Sequence, residues 1–420
     1  MIRSLIDWVH RNDLGRRIFS VASGTAVGQG VTVLVSPLLA RLYTPEAMGL
    51  WGLFVSFVGV ATVGGALRYE AAIVAAKRDE EALLLTGYAL GLAFVVSLVA
   101  GGLFEVFRRY RILGYDAFPV WGGFAAAFAV LLNVWGQIFR FWFIREKLFH
   151  IIGYFVASRG VFRAFVQLIA YPWRGLGLIG GEIVGRLLSL AFFVREFPIR
   201  AFGYLSFQRS WHLLWKYKEY PMVFLPSAFV DTMALMAPVP VFTSLYGIEV
   251  GGMLALAQRT VSIPLVLLGT AVADVFFGEI AEAARSDKRR ARELFLQATL
   301  RLGLLALALG FGLWLLAPRA IRLIFGAQWV LAGQMLSVMA PWFVGILTVN
   351  PLSRLVFLSR YPWSKLIYDV GALGGIIFLF WVHIPDPLTA LRLVAWIQAL
   401  LYGLYWVILL SAVLQGLEVK

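Results

Sequence analysis

Runs of about twenty apolar residues recur twelve times along this chain, and that recurrence narrows its folds to one kind. Hydrocarbon offers no partner to a backbone N–H or C=O, so each run must satisfy its own hydrogen bonds as an α-helix. Read between charged or Pro/Gly breaks, the runs lie at 18–40, 48–75, 83–104, 118–144, 149–171, 176–194, 221–245, 250–280, 295–317, 331–358, 364–383 and 389–414. The composition agrees: 61% of the 420 residues are hydrophobic and 14% charged, where soluble domains run about 45–50% and ~25%. The expected fold class is an all-α polytopic membrane protein with twelve transmembrane helices. The first run follows Arg16-Arg17 and has spanning length, so it reads as a retained helix rather than a signal peptide.

Apart from Lys365 and Arg392, which stand in the first turn of their runs, eight arginines and no lysine fall inside these runs: Arg68, Arg140, Arg159, Arg163, Arg186, Arg259, Arg301 and Arg354. A cation at the bilayer centre costs about 2.5–3.5 kcal/mol even on the most lenient scale. So many imply a shared polar interior. The choice of arginine points to its contents, because a planar guanidinium grips phosphate or carboxylate through two bonds at once. Arg159 and Arg163 are spaced i,i+4 and share a helix face, roughly 15–21 Å from the inner end of their run. Glu182, four residues before Arg186, supplies a candidate ion-pair partner. Asn133, Gln137 and Arg140 form a polar stripe. Arg259 precedes Pro264, where a kink would free backbone groups. Arg301, Arg68 and Arg354 lie nearer the ends of their runs, within reach of snorkelling. The acids in the runs are fewer: Glu70, Glu182, Asp231, Asp274, Glu279 and Asp369. Asp369, four residues after Lys365, reads as a surface pair. Glu70 and Asp231 are candidate proton or sodium sites, or partners for an arginine.

Loop cations set the orientation. With the N-terminus inside, inner loops and termini hold about 21 Lys and Arg against 8 outside, so both termini are expected in the cytoplasm. The largest loop, about 195–220, divides the chain into a six-helix lobe at 1–200, a cytoplasmic linker at 201–220 and a second six-helix lobe at 221–420. An offset of 203 residues aligns Pro37 with Pro240, Leu42 with Leu245, Tyr43 with Tyr246, Glu46 with Glu249 and Gly49 with Gly252. Copies separated by six helices insert in the same direction, a parallel repeat with a substrate site between the halves. The alternative is that two hairpins share turn chemistry.

Several classes are disfavoured. The net charge of +14 sits largely in short loops, which suits topology better than nucleic-acid binding. There is no cysteine, and four scattered histidines lack metal-ligand spacing, so no metal or cofactor is expected. A glycan polymerase or glycosyltransferase would need catalytic groups on a substantial loop or a D-x-D-like site, and the loops are short. A net-positive vestibule suits an anionic ligand: a soluble anion, or a lipid diphosphate whose chain stays in the bilayer.

The segments Ser23-Gly24-Thr25-Ala26-Val27-Gly28-Gln29 and Ser36-Pro37-Leu38-Leu39-Ala40-Arg41-Leu42-Tyr43-Thr44-Pro45-Glu46 resemble the first helix and turn of bacterial polysaccharide-biosynthesis (Wzx-type) flippases. So do Leu67-Arg68-Tyr69-Glu70-Ala71-Ala72-Ile73 with Asp79-Glu80-Glu81-Ala82, Ala257-Gln258-Arg259 with Pro264, and Pro351-Leu352-Ser353-Arg354. The resemblance implies the multidrug/oligosaccharidyl-lipid/polysaccharide (MOP) exporter fold: two six-helix lobes in a V that opens to each side in turn. It implies a bacterial inner-membrane flippase for an undecaprenyl-diphosphate-linked oligosaccharide bound for O-antigen, capsule or exopolysaccharide. Implied partners are that lipid-linked glycan, membrane lipids, a coupling proton or sodium, and polysaccharide polymerase machinery. Arg159, Arg163, Arg259 and Arg301 are the expected head-group contacts, with Arg68, Arg140 and Arg354 at the cytoplasmic mouth. Lipid II flippases share the fold but commonly have fourteen helices. A drug/cation antiporter of this fold would need an acidic or aromatic lining, against which eight arginines speak.

Overall fold

The computed structural model describes residues 13–197, 213–261, 279–280, 283, 288–358 and 364–415. Those residues form helices and turns, with no strand among them. They group into two compact units, Met1–Thr232 and Met233–Lys420.

The first unit contains α1 (Asp13–Leu42), α2 (Pro45–Gly64), the short α3 (Tyr69–Ala75), α4 (Asp79–Arg109), α5 (Gly122–Arg145), α6 (Phe149–Ile169) and α7 (Gly175–Phe193). Missing side chains let three of these helices touch. A Cβ on Gly28 would lie 2.7 Å from the Val156 carbonyl oxygen, and one on Gly160 would lie 2.6 Å from that of Gly28. Gly24 and Gly153 close the same α1–α6 seam. On the other side of α6, a Cβ on Gly185 of α7 would meet Arg163 Cα at 2.7 Å, and Gly181 abuts Gln167. Small residues are the device by which helices gain contact in lipid, where burial of apolar side chains supplies no net drive. Tyr43 fastens the end of α1 to this layer, donating to the Gln167 carbonyl at 2.6 Å.

One end of the unit is tied by charge. Arg145 donates to the Ile73 and Ala76 carbonyls at 3.1 and 2.6 Å and pairs with Asp79 at 2.7 Å, so a guanidinium satisfies the end of α3. Lys216 reaches both Glu81 oxygens at 2.9 and 2.8 Å, and that bond holds its ammonium above the usual lysine range. At the other end, Phe57, Phe104 and Tyr115 meet edge to face, and the Tyr115 hydroxyl donates to the Leu53 carbonyl at 3.1 Å.

A helix α8 (Leu225–Met236) carries the division between the units, which falls at Thr232. The second unit contains α9 (Pro238–Tyr246), α10 (248–261), the long α11 (Lys288–Phe325), α12 (Val330–Val338), α13 (Ala340–Val349), α14 (Ser364–Ile377), α15 (Leu379–Val382) and α16 (Pro387–Gln415). Its core joins Phe295, Leu302, Leu352, Tyr405 and Leu409 from α11, the turn after α13 and α16. Tyr246 at the end of α9 donates to the Ile384 carbonyl at 2.7 Å. The aligned pair Tyr43 and Tyr246 thus performs one task in both units: each pins the end of its helix to a backbone carbonyl on a later segment.

Eight described helices are long and apolar enough to cross a membrane, or ten if each of two bent pairs is one span. Three expected spans are broken. The run 48–75 splits into α2 and α3 at Leu67 and Arg68, which both take positive φ (50° and 67°). A non-glycine residue there costs roughly 1–2 kcal/mol. The run 221–245 bends by 42° before Pro238, and the run 331–358 by 52° before Pro341. Proline lacks the N–H its preceding turn would use, so each helix restarts there. The run 295–317 grows instead to 38 residues, since Lys288, Arg289, Arg290 and Arg292 extend α11 with good helix formers. The remainder of the run 250–280 lies almost wholly outside the described residues.

Replacing Gly160 by Leu should force α1 and α6 apart and cost about 1–3 kcal/mol or more, the range for overpacked cores. Gly30→Ala, where an added Cβ meets nothing within 4 Å, should leave the midpoint of thermal unfolding in detergent unchanged. A Gly160→Leu protein as stable as the parent would refute the glycine seam.

Candidate functional site

The glycine-packed layer of α1, α6 and α7 holds a buried charge cluster. Helical periodicity puts Arg159 and Arg163 on one face of α6, and Glu182 and Arg186 on one face of α7. Because Gly181 and Gly185 draw the α7 backbone onto α6, Glu182 is close enough to serve both helices. Its carboxylate, 2% exposed, pairs with Arg186 Nη2 at 2.9 Å and with Arg163 Nη1 at 3.4 Å. Arg163 Nη2 also donates to the Thr32 hydroxyl of α1 at 2.7 Å. Arg186 donates to the Glu182 carbonyl at 3.4 Å. Arg159, half-buried, stands within electrostatic reach of Arg186, Glu182 and Arg163. No hydrogen bond or ion pair joins it among the described residues. Among the described residues, three guanidiniums face one carboxylate, an excess of positive charge. An interior of this kind attracts a polyvalent anion, whose oxygens substitute for the water the cations have lost.

The other expected residues do not all join this cluster. Arg68 sits in the strained break between α2 and α3, a third exposed, with Glu70 3.7 Å away and 2% exposed. Glu70, a coupling candidate, is therefore a buried carboxylate beside a partly wet guanidinium. Tyr69 between them donates to the Leu214 carbonyl at 3.3 Å. Arg140 is exposed on α5, with Asn133 and Gln137 half-buried on the same stripe. Asp231, the second coupling candidate, is exposed on α8. In the second unit Arg259 is half-buried on α10 and Arg301 exposed on α11. The Arg354 side chain and Asp274 lie outside the described residues.

One reading is corrected. Asp369 is no surface residue: it is 1% exposed, and Lys365 of the same helix reaches both its oxygens at 3.0 and 2.8 Å. The i,i+4 spacing gave the pair; packing of Tyr368 against Tyr402 and Tyr405 of α16 buries its turn. Two contacts of the first-unit cluster are not legible in the sequence. Glu182 was matched with Arg186 alone, and its bridge to Arg163 depends on Gly181 and Gly185. Thr32 gave one weak signal, standing four residues after Gly28 on the helix face that meets α6.

A family model described as "Polysaccharide biosynthesis protein" matches residues 38–333. The chain belongs to this polysaccharide biosynthesis family. The succinoglycan biosynthesis transport protein ExoT of Rhizobium meliloti (strain 1021) is 24% identical over 387 residues, covering 89% of this chain and 71% of that protein. Among solved structures, the lipid II flippase MurJ in an inward closed conformation superposes with a TM-score of 0.69 at 14% identity, over 93% of this chain and 87% of MurJ. An inward-facing multidrug resistance MATE family transporter of the MOP superfamily gives 0.54 at 14% identity, over 94% and 96%. At such identities the likeness establishes the fold alone: the helical membrane fold that MurJ and this transporter share.

Glu182→Gln should destabilise the protein by about 3–5 kcal/mol, because Arg163 and Arg186 then stay buried without a counter-charge. Adding Arg186→Gln should recover much of that loss. Thermal unfolding of the single and double variants measures the coupling, and additive effects would mean that the bridge contributes nothing.

Proposed function

We propose that the chain is a flippase that carries a polyprenyl-diphosphate-linked oligosaccharide, a precursor of O-antigen, capsule or exopolysaccharide, from the inner to the outer leaflet by alternating access. The observation that carries this reading is the surplus of guanidinium charge around the buried Glu182, with Arg159 bonded to nothing among the described residues. A diphosphate offers several anionic oxygens at the spacing a guanidinium fork accepts. The name of ExoT, a transport protein of succinoglycan biosynthesis, points to the same class of cargo. In this reading Arg159 and Arg163 touch the head group, Arg259 and Arg301 contribute from the second half, and Arg68, Arg140 and Arg354 serve the cytoplasmic mouth. Glu70 or Asp231 couples a proton or sodium. The lobes are 1–200 and 221–420, joined by 201–220, with both termini in the cytoplasm of a bacterial inner membrane.

A lipid II-type substrate is the second reading, favoured by the MurJ superposition. Both cargoes present a polyprenyl diphosphate, so the cluster fits either, and the sugars decide. A cationic drug fits neither, because a net-positive cluster repels it.

Lipid analysis of a deletion strain separates these readings. Lipid-linked polysaccharide precursor held on the cytoplasmic face is the expected result; trapped wall precursor would point to lipid II, and stalled glycan assembly to an enzyme. Within the cluster, Arg159→Ala removes a repulsive charge and should leave thermal stability unchanged or raised. It should nonetheless slow export about tenfold or more, the equivalent of one charge-assisted hydrogen bond. Normal export in Arg159→Ala would take Arg159 out of the substrate path.

A further inference from the structure

A groove of about 920 Å³ runs along the second unit between α11, α12–α13 and α16. That is the upper end of the ~300–1,000 Å³ typical of ligand sites. Its lining extends along α16 from Leu388 to Trp406, eighteen residues or about 27 Å at ~1.5 Å each. Along α11 it extends from Thr299 to Pro318, a similar length. One leaflet of hydrocarbon is about 15 Å deep, half of the ~30 Å core. The groove is therefore longer than the acyl chain of an ordinary phospholipid can fill from one side.

Its chemistry is that of a chain site with one polar end. Phe311, Trp314 and Trp396 form exposed lips, each with more than half its surface free. Three polar groups of the wall are already engaged. The Thr299 hydroxyl accepts from Trp406 Nε1 at 3.2 Å. Ser337 donates to the Trp314 carbonyl at 2.6 Å and Thr348 to that of Val344 at 2.8 Å. Among the described residues of the lining, Arg392 is the one charged side chain, exposed near one end, with Asp386 within electrostatic reach. Gly403 leaves the floor open: a Cβ built there meets nothing within 4 Å.

We propose that this groove holds the polyprenyl chain of the carrier lipid, with Arg392 against its phosphate when the head group stands at that end. The proposal rests on the flippase reading and adds a separate site to it. Length selects the occupant, since a polyprenyl chain exceeds one leaflet. Charge complementarity at Arg392 sets the polarity.

The test uses the full-length protein in lipid nanodiscs, with a photoreactive benzoylphenylalanine in place of Phe311 and a radiolabelled, sugar-free polyprenyl monophosphate as probe. Labelling is expected, displaced by unlabelled polyprenyl phosphate and not by equal amounts of phosphatidylglycerol. Gly403→Trp, whose Cβ would meet no atom within 4 Å and whose indole takes up groove space, should reduce labelling about tenfold or more, the factor for excluding two methylene groups. Arg392→Gln, at an exposed position, should keep the fold and lower labelling by the phosphate to the level seen with the uncharged polyprenol. Equal displacement by phosphatidylglycerol would overturn the proposal in favour of bulk lipid, and so would unchanged labelling in Gly403→Trp. The deletion-strain lipid analysis reports separately on the flippase reading. An unlabelled groove beside trapped lipid-linked glycan refutes the chain site alone; a labelled groove without trapped glycan refutes the glycan cargo.

Discussion

The bridge from Glu182 to Arg163 and Arg186 is the interaction on which the first unit depends. Charges in a low-dielectric layer are tolerable only when they are paired and further bonded, and one carboxylate here does that for two guanidiniums. Thr32 completes the arrangement by accepting from Arg163. The bridge also sets what the site can do. Were each arginine matched by its own carboxylate, the cluster would be neutral and would offer an anion nothing. With one carboxylate among three guanidiniums, the helices hold together and a residual attraction remains.

Close packing makes that economy possible. Glycine at 24, 28, 153, 160, 181 and 185 removes the side chains that would otherwise hold α1, α6 and α7 at an ordinary separation. The long arginine side chains then bond across helices within a small volume. Pairing and packing are consequently a single design: loosening the glycine seams would lengthen the ion pairs, and removing the carboxylate would push the helices apart.

In the proposed reading the two units divide the chemistry of an amphipathic lipid. The first unit gathers three guanidiniums around the buried Glu182. The second unit offers a largely apolar groove with Arg392 near one end. A cargo that is anionic at its head and apolar along its chain needs both kinds of surface, and neither can substitute for the other. Breaks in the spans add local variation. At Pro238 and Pro341 the backbone bends because proline has no N–H to give; at Leu67 and Arg68 it turns through positive φ and places Arg68 beside Glu70.

By itself the sequence determined the helical membrane class, the positions of most helices and the i,i+4 pairing of Glu182 with Arg186. These follow from periodicity and from the cost of unsatisfied backbone in lipid, both local properties. It also carried the family, through short motifs around the first turn and Arg68. Tertiary structure alone decided which arginines meet. Arg163 shares a carboxylate with Arg186 because glycines on a neighbouring helix admit it, and Asp369 is buried because Tyr368 stacks on Tyr405. The groove along α16 was equally invisible in sequence, since its lining comes from stretches nearly a hundred residues apart that read simply as apolar. Distances between helices depend on what each presents to the other, and no single stretch of chain contains that information.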